Sequence, residues 1–261
     1  MTNYLGIDFG TSGARAIAID AVGQVVGEAR CQYPSPQPDA DAWRQTLWAL
    51  LDQLPTAIGK RLTAIAIDGT SATVLLCDRN NAPLTQPLFY NDARGGVPIA
   101  TPTTTPAHSA TSSLSKALWW LKTLHPPPPK QAPDLTHQAD WLSSLLHDRP
   151  CISDYNNALK LGYDVQTLSY PRWLADLEIS PWLPRVLPPG AEIAPIQPEV
   201  AQRFGLAKSC IIKTGTTDSI AAFLASGASV PGDAVTSLGS TLVLKLLSPI
   251  AINNAPSGIY S

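Results

Sequence analysis

Tyr4-Leu5-Gly6-Ile7-Asp8-Phe9-Gly10-Thr11-Ser12-Gly13-Ala14-Arg15-Ala16-Ile17-Ala18-Ile19-Asp20 sets two apolar runs on either side of a turn of small residues. Residues 4–8 and 14–20 are predicted strands, and the segment from Gly10 to Gly13 joins them as a hairpin. A third strand is predicted over 24–32 after Ala21-Val22-Gly23, which makes a meander. Asp8 stands at the end of the first strand. Small residues beyond it leave backbone N–H groups and the hydroxyls of Thr11 and Ser12 free to surround a phosphate. Asp8 is placed to hold Mg²⁺ through water, because that ion takes one or two carboxylates and phosphate oxygens. An ordinary tight turn with a solvated Asp8 accounts for the same residues as well.

Working outward, Trp43, Leu47, Leu50, Leu51 and Leu54 recur at helical spacing and define one apolar face, with Asp41 placed as cap. Strands are predicted at 62–68 and 73–77, with a further short one over 87–90. Residues 95–110 are rich in Thr and Pro without periodicity and are expected to form an exposed loop. Helices are predicted at 113–123, 139–146, 154–161 and 172–177. A strand over 210–214 leads through Gly215-Thr216-Thr217 into a helix at 218–226. Strands return at 234–238 and 242–247. Strands mixed with helices in this order indicate an α/β domain.

Composition narrows the function classes. Apolar residues make up 44% and charged residues only 15% of the 261, enough for a packed core and unlike a disordered chain. Lys+Arg 18 against Asp+Glu 20 leaves a net charge of −2, without the basic stripe that nucleic-acid binding needs. No apolar run reaches membrane-spanning length, and the N-terminus carries no signal-type segment. The four cysteines lack metal spacing and are expected to be reduced, in a cytoplasmic setting. Most of the 25 prolines cluster between periodic segments. The run Pro126 to Pro129 is expected to be polyproline II.

Asp218 follows Gly215-Thr216-Thr217 and opens an apolar helix. It is either an N-cap carboxylate or a general base facing a substrate hydroxyl, and spacing alone favours the cap. Gly239-Ser240-Thr241 sits between two apolar strands, as Gly10-Thr11-Ser12 does, which suggests a duplicated architecture whose second copy is just beginning.

Four motifs, Asp8-Phe9-Gly10-Thr11-Ser12, Tyr90-Asn91-Asp92-Ala93-Arg94, Gly215-Thr216-Thr217-Asp218-Ser219 and Ser237-Leu238-Gly239-Ser240-Thr241, resemble those of the FGGY carbohydrate kinases, in the same order. Residues 67–73 and 154–163 look closest to the xylulose-kinase-like D-ribulose kinases of cyanobacteria and plants. The resemblance implies an actin-like ATPase (ribonuclease H-like) fold, a mixed sheet flanked by helices, with a truncated second copy. It implies a first domain over 1–226 and the opening strands of a second over 227–261.

The same resemblance assigns Asp8 to the metal, with Gly10, Thr11, Ser12, Gly239, Ser240 and Thr241 on the nucleotide phosphates. Asp218 becomes the catalytic base, and Ser71 contacts the sugar beside Asp8 and Asp218. Asp92, Arg94, Asn157 and Lys160 are weaker candidates. Asp8 is expected to be the one carboxylate beside the first turn. The implied reaction is MgATP-dependent phosphorylation of a ketopentose, D-ribulose first, with D-xylulose or another polyol as alternatives. The partner is then a small ketose, neither nucleic acid nor membrane. A non-catalytic sugar- or phosphate-binding fragment of such a kinase is the other reading, because no later Gly-rich segment is present to enclose adenosine. The strands at the C-terminal end are expected to expose an apolar edge open to association.

Overall fold

The computed structural model describes residues 2–98, 101–124, 132–238, 242–254, 257, 259 and 261. In chain order the elements begin with β1 (Asn3–Phe9), β2 (Gly13–Asp20), β3 (Val25–Gln32), α1 (Ala40–Asp52), α2 (Thr56–Gly59), β4 (Leu62–Gly69) and β5 (Val74–Cys77). They continue with α3 (Ser113–Thr123), β6 (Asp134–His137), α4 (Gln138–Ser144), β7 (Ile152–Asp154), α5 (Tyr155–Leu159) and α6 (Arg172–Ala175). The remainder is β8 (Arg185–Leu187), β9 (Glu192–Pro195), α7 (Pro198–Phe204), β10 (Ile211–Lys213), β11 (Thr216–Thr217), α8 (Asp218–Ala225), β12 (Ala234–Leu238) and β13 (Leu242–Leu246).

The expected meander forms and becomes one side of a seven-stranded mixed sheet ordered β3-β2-β1-β4-β10-β9, with β11 also paired to β4. β1 runs antiparallel to β2 and parallel to β4, with Ile7 beside Ile67 and Asp8 beside Asp68. Alternation then divides the faces. Leu5, Ile7 and Phe9 are buried, whereas Tyr4 is exposed and Asp8 half-buried on the opposite face. The buried face receives Trp43, Leu47, Leu50 and Leu51 of α1 and Trp141 and Leu142 of α4. Full burial of such a side chain contributes about 1.5–3 kcal/mol. A second core gathers Val74, Leu76, Leu114, Trp120, Leu161 and Leu174 between β5, α3 and α6.

Several expectations need correction. Asp39, not Asp41, caps α1, accepting from the Ala42 N–H at 2.8 Å. Asp41 lies in the first turn and pairs with Arg44 at 2.7 Å. Residues 87–90 form no strand; Leu88 makes a single bridge to Val74. The helix read over 154–161 is shorter, because Asp154 is its N-cap and accepts from the Asn156 and Asn157 N–H groups. The Thr216-Thr217 segment, read as turn, pairs with β4. The hairpin β12–β13 forms, with Leu238, Leu242, Leu244 and Leu246 exposed. Gly239, Ser240, Thr241 and the Pro126 to Pro129 run lie outside the described residues. Among the described residues no helix is long and apolar enough to cross a membrane.

Candidate active site

Parallel pairing brings the chemistry to one edge of the sheet. β1, β4 and β11 all end there, so Asp8 and Asp68 are register partners and Thr216 pairs with Asp68 two residues before Asp218. The turn after β1 is closed by a hydrogen bond from the Gly10 N–H to Gly13 O at 3.0 Å, leaving Thr11 and Ser12 exposed at its tip. Tyr33 braces this turn, its hydroxyl donating to Gly10 O at 3.2 Å.

Gly215 admits β11 to the sheet. A Cβ on it would lie 1.7 Å from the Ile67 carbonyl oxygen, so only glycine fits against β4 here. Asn156 and Asn157 then hold the segment from the other side. Asn156 Nδ2 donates to Thr216 Oγ1 at 2.9 Å, and Asn157 Nδ2 donates to Thr216 O at 3.2 Å and to Asp154 Oδ2 at 2.6 Å. Asn157, expected as a weak site candidate, is buried and acts on the backbone that carries Asp218.

Thr217 is the N-cap residue of α8, and Asp218 is its first helical residue. The cap reading favoured by spacing is therefore displaced by one position. The Asp218 carboxylate accepts from the Ser219 N–H at 2.6 Å. Burial pushes its pKa up, and the negative field of Asp8 adds to that, against the Ser219 donor, the nearby Ser71 backbone and the Lys160 ammonium. Lys160 lies half-buried within the field of Asp218, and burial holds its own pKa below the usual lysine range. Lys245 of β13 donates to the Ser219 carbonyl oxygen and ties the hairpin to the same helix turn.

Asp218 lies within the field of Asp8 and near the Ser71 backbone, but Asp8 is not the one carboxylate beside the first turn. Asp68 joins it, and its pKa is pushed up to about 8 by burial first, then by the Asp8 charge and hydrogen bond, and by Asp218. Its Oδ1 is buried without a partner among the described residues. The sequence signal was present in the echo of Ile7-Asp8-Phe9-Gly10-Thr11-Ser12 by Ile67-Asp68-Gly69-Thr70-Ser71. Among the described residues no cluster of three His, Cys, Asp or Glu side chains is arranged to hold a metal by itself. That donor set suits Mg²⁺, which needs one or two carboxylates once phosphate oxygens and water complete its shell.

Gln138 was also unforeseen. Its Oε1 accepts from the Thr70 N–H at 3.0 Å and the Thr70 hydroxyl at 2.9 Å. A cavity of about 150 Å³ opens beside Gly10 and Thr11, walled by Tyr33, Trp43, Phe89 and Tyr90. Asp8, Ser71 and Asp218 do not line it. Asp92 and Arg94 form a two-point ion pair, Nη2 to Oδ2 at 2.7 Å and Nε to Oδ1 at 2.9 Å, with Arg94 over the Trp119 ring. Burial opposes the Asp92 charge, yet the Arg94 bonds outweigh it and hold this carboxyl below its usual range.

The fold agrees with that of known proteins. The xylulose kinase of Haemophilus influenzae is 25% identical over 285 aligned positions, which cover 97% of this chain and 58% of that protein. The crystal structure of a xylulose kinase from Brucella ovis superposes with a TM-score of 0.81 at 22% identity, over 93% of this chain and 54% of that one. Plasmodium falciparum glycerol kinase, solved with ADP, gives a TM-score of 0.80 at 17% identity, over 94% and 54%. These likenesses show the fold, an actin-like α/β architecture, and the chain spans little more than half the length of each of these three proteins. Residues 3–225 match the N-terminal domain of the FGGY family, and the chain belongs to that family of carbohydrate kinases.

Proposed function

We propose that this chain carries the acceptor and phosphate side of an ATP-dependent ketopentose kinase that converts D-ribulose to D-ribulose 5-phosphate. The observation that carries the reading is the Asp218 carboxylate, held by the Ser219 N–H within the field of Asp8 at the ends of the central strands. Burial raises its proton affinity, which suits a general base for a sugar hydroxyl. Asp218 takes the proton of the terminal hydroxyl as that oxygen attacks in line, and the exposed Gly10-Thr11-Ser12 turn offers donors to phosphate. Asp8 and Asp68 are the groups that would hold Mg²⁺, which when bound offsets charge on the phosphate oxygens. Gly239, Ser240 and Thr241 supply the second phosphate turn in this scheme. Residues 1–226 form the first domain, and 227–261 open the second.

The choice of D-ribulose rests on the resemblance of residues 67–73 and 154–163. Ser71 offers a small neutral hydroxyl, suited to an uncharged ketose. D-Xylulose is the second reading, favoured by the names of the relatives. The setting is cytoplasmic, with which the free thiols of Cys31, Cys77, Cys151 and Cys210 are compatible. A coupled assay of ADP release with MgATP and D-ribulose, D-xylulose, gluconate or glycerol tests the assignment. Highest turnover with D-ribulose is expected. A preference for glycerol or gluconate would refute the pentulose assignment.

A further inference from the structure

The cavity beside Gly10 and Thr11 plays no part in the chemistry above, because Asp8, Ser71 and Asp218 do not line it. Its volume is about 150 Å³. A cavity of that size holds one benzene, so a molecule of about six non-hydrogen atoms fits. Stretches far apart in sequence build it: the turn after β1, residues 33–43 and residues 89–91, with Thr70 and Gln138 between them.

Trp43 carries the argument. It comes from α1 and has no solvent exposure, and its indole N–H is buried with no hydrogen-bond partner among the described residues. Such a donor costs free energy, and phenylalanine would wall the same core without that cost. Of the described residues with a buried polar side-chain atom in this state, Trp43 alone lines the cavity. Its neighbours hold the ring in place. Phe89 meets it edge-on with centroids 6.1 Å apart, and Trp141 packs tilted at 6.3 Å. The unpartnered donor thus belongs to a rigid wall of an open space.

The rest of the lining decides the class of ligand. Tyr33, Phe89 and Tyr90 present aromatic walls, while Thr70, Asn91 and Gln138 bring hydroxyl and amide groups. Among the described residues none that lines the cavity is charged, which disfavours phosphates, carboxylates and amines. Water alone suits the space poorly, because it needs several polar partners and meets aromatic faces instead. A purely apolar ligand would leave the Trp43 donor unpaired. A small polyol meets both demands, with C–H groups against the rings and hydroxyl oxygens for the donors.

We propose that this cavity is a binding site for a small uncharged polyol, separate from the Asp218 centre, in which a ligand hydroxyl oxygen accepts from the Trp43 indole N–H. It does not depend on the kinase reading.

The test is a glycerol titration of the 261-residue chain, followed through the indole N–H resonances by nitrogen-15 NMR. Trp43→Phe identifies the Trp43 signal among the seven tryptophans. A saturable shift of that signal is expected, because the N–H gains an acceptor. Glycerol affinity should fall about 2- to 10-fold in Trp43→Phe, the loss of one neutral hydrogen bond. Benzene and glycerol 3-phosphate are the comparison probes. Both should bind more weakly than glycerol, the first for want of an acceptor and the second for its charge. In Asp218→Asn the Trp43 shift should persist. No saturable shift of Trp43, equal affinity in Trp43→Phe, tighter binding of either comparison probe, or loss of the shift in Asp218→Asn overturns the proposal. If Trp43→Phe does not fold, Overhauser contacts in wild type decide, from glycerol to an indole N–H that also meets the Phe89 ring, and their absence overturns the proposal. A chain without ketose turnover that still binds glycerol at Trp43 would sink the kinase reading and leave this site standing.

Discussion

Replacing Gly215 by alanine would set a Cβ 1.7 Å from the Ile67 carbonyl oxygen and 2.7 Å from the Ile67 carbonyl carbon. A Cβ essentially never approaches a neighbouring atom within 3.0 Å, so the two backbones must separate by at least about 1.3 Å. Neither side can yield by rotating a side chain, because both are backbone. The pairs Thr216–Asp68 and Thr217–Gly69 lie just beyond and would open first. Overpacking of this kind costs about 1–3 kcal/mol, and contact with a strand backbone belongs at the upper end. For a chain of this size 1 kcal/mol corresponds to about 2–4 °C, so a fall in Tm of about 6–12 °C is expected by scanning calorimetry. Asp218 is carried on the displaced segment, and a misplacement of about 1 Å is worth about 100-fold in rate. Gly6→Ala is the control, because nothing lies within 4 Å of its Cβ position. It shares the unfolded-state effect of the substitution and is expected to be nearly neutral. A Gly215→Ala protein with the Tm of the control, within about 1 °C, would refute this account of how β11 enters the sheet.

Asp218→Asn should lower ketose turnover at least about 100-fold with acceptor KM largely kept, as read by steady-state kinetics; near-normal turnover would reduce Asp218 to a helix-terminal residue. His147 is 2% exposed, and burial lowers its pKa to about 4, with Asp148 opposing and Arg149 assisting. The unfolded chain, with an ordinary histidine pKa near 6.5, therefore binds the proton more readily between pH 6.5 and 4. Stability from this residue is fully present above about pH 6.5 and is lost as pH falls toward 4, by up to about 3 kcal/mol. Denaturant titrations at pH 7.5 and 4.5 should show a smaller acid loss in His147→Asn than in wild type, and equal losses would contradict the assignment.

Much of this was legible in the sequence, and the failures share a cause. The β1–β2 hairpin and α1 were plain because their apolar residues repeat at strand and helix periods, and each meets one core. β6, Asp134-Leu135-Thr136-His137, is wholly buried yet has one apolar residue, so periodicity could not find it. Hydrogen bonds replace hydrophobicity there: His137 contacts Ser113 at 3.1 Å and Asp140 at 3.2 Å. α7 was hidden inside a proline-rich stretch, although Pro198 begins it and Gly205, at φ +64, ends it. Those are ordinary helix signals that the clustered prolines obscured. Asp8 and Asp218 could be singled out because each adjoins a turn of small residues. Asp68 also precedes small residues, Gly69-Thr70-Ser71, but that echo does not place it beside Asp8, which depends on β1 and β4 being parallel neighbours in register. Gln138 acts across a long sequence separation, 68 residues to Thr70, which no local pattern records.

The pleat of β1 and β4 has a consequence for how this protein can change. Leu5, Ile7, Phe9, Ile65 and Ile67 point to one side, where the helices are, and Asp8 and Asp68 point to the other. Neighbouring positions along one strand therefore answer to different demands. Selection can rewrite the alternate positions that meet the ligand while the intervening ones go on holding the molecule together. The sheet behaves as two separately editable texts printed on the two sides of one page.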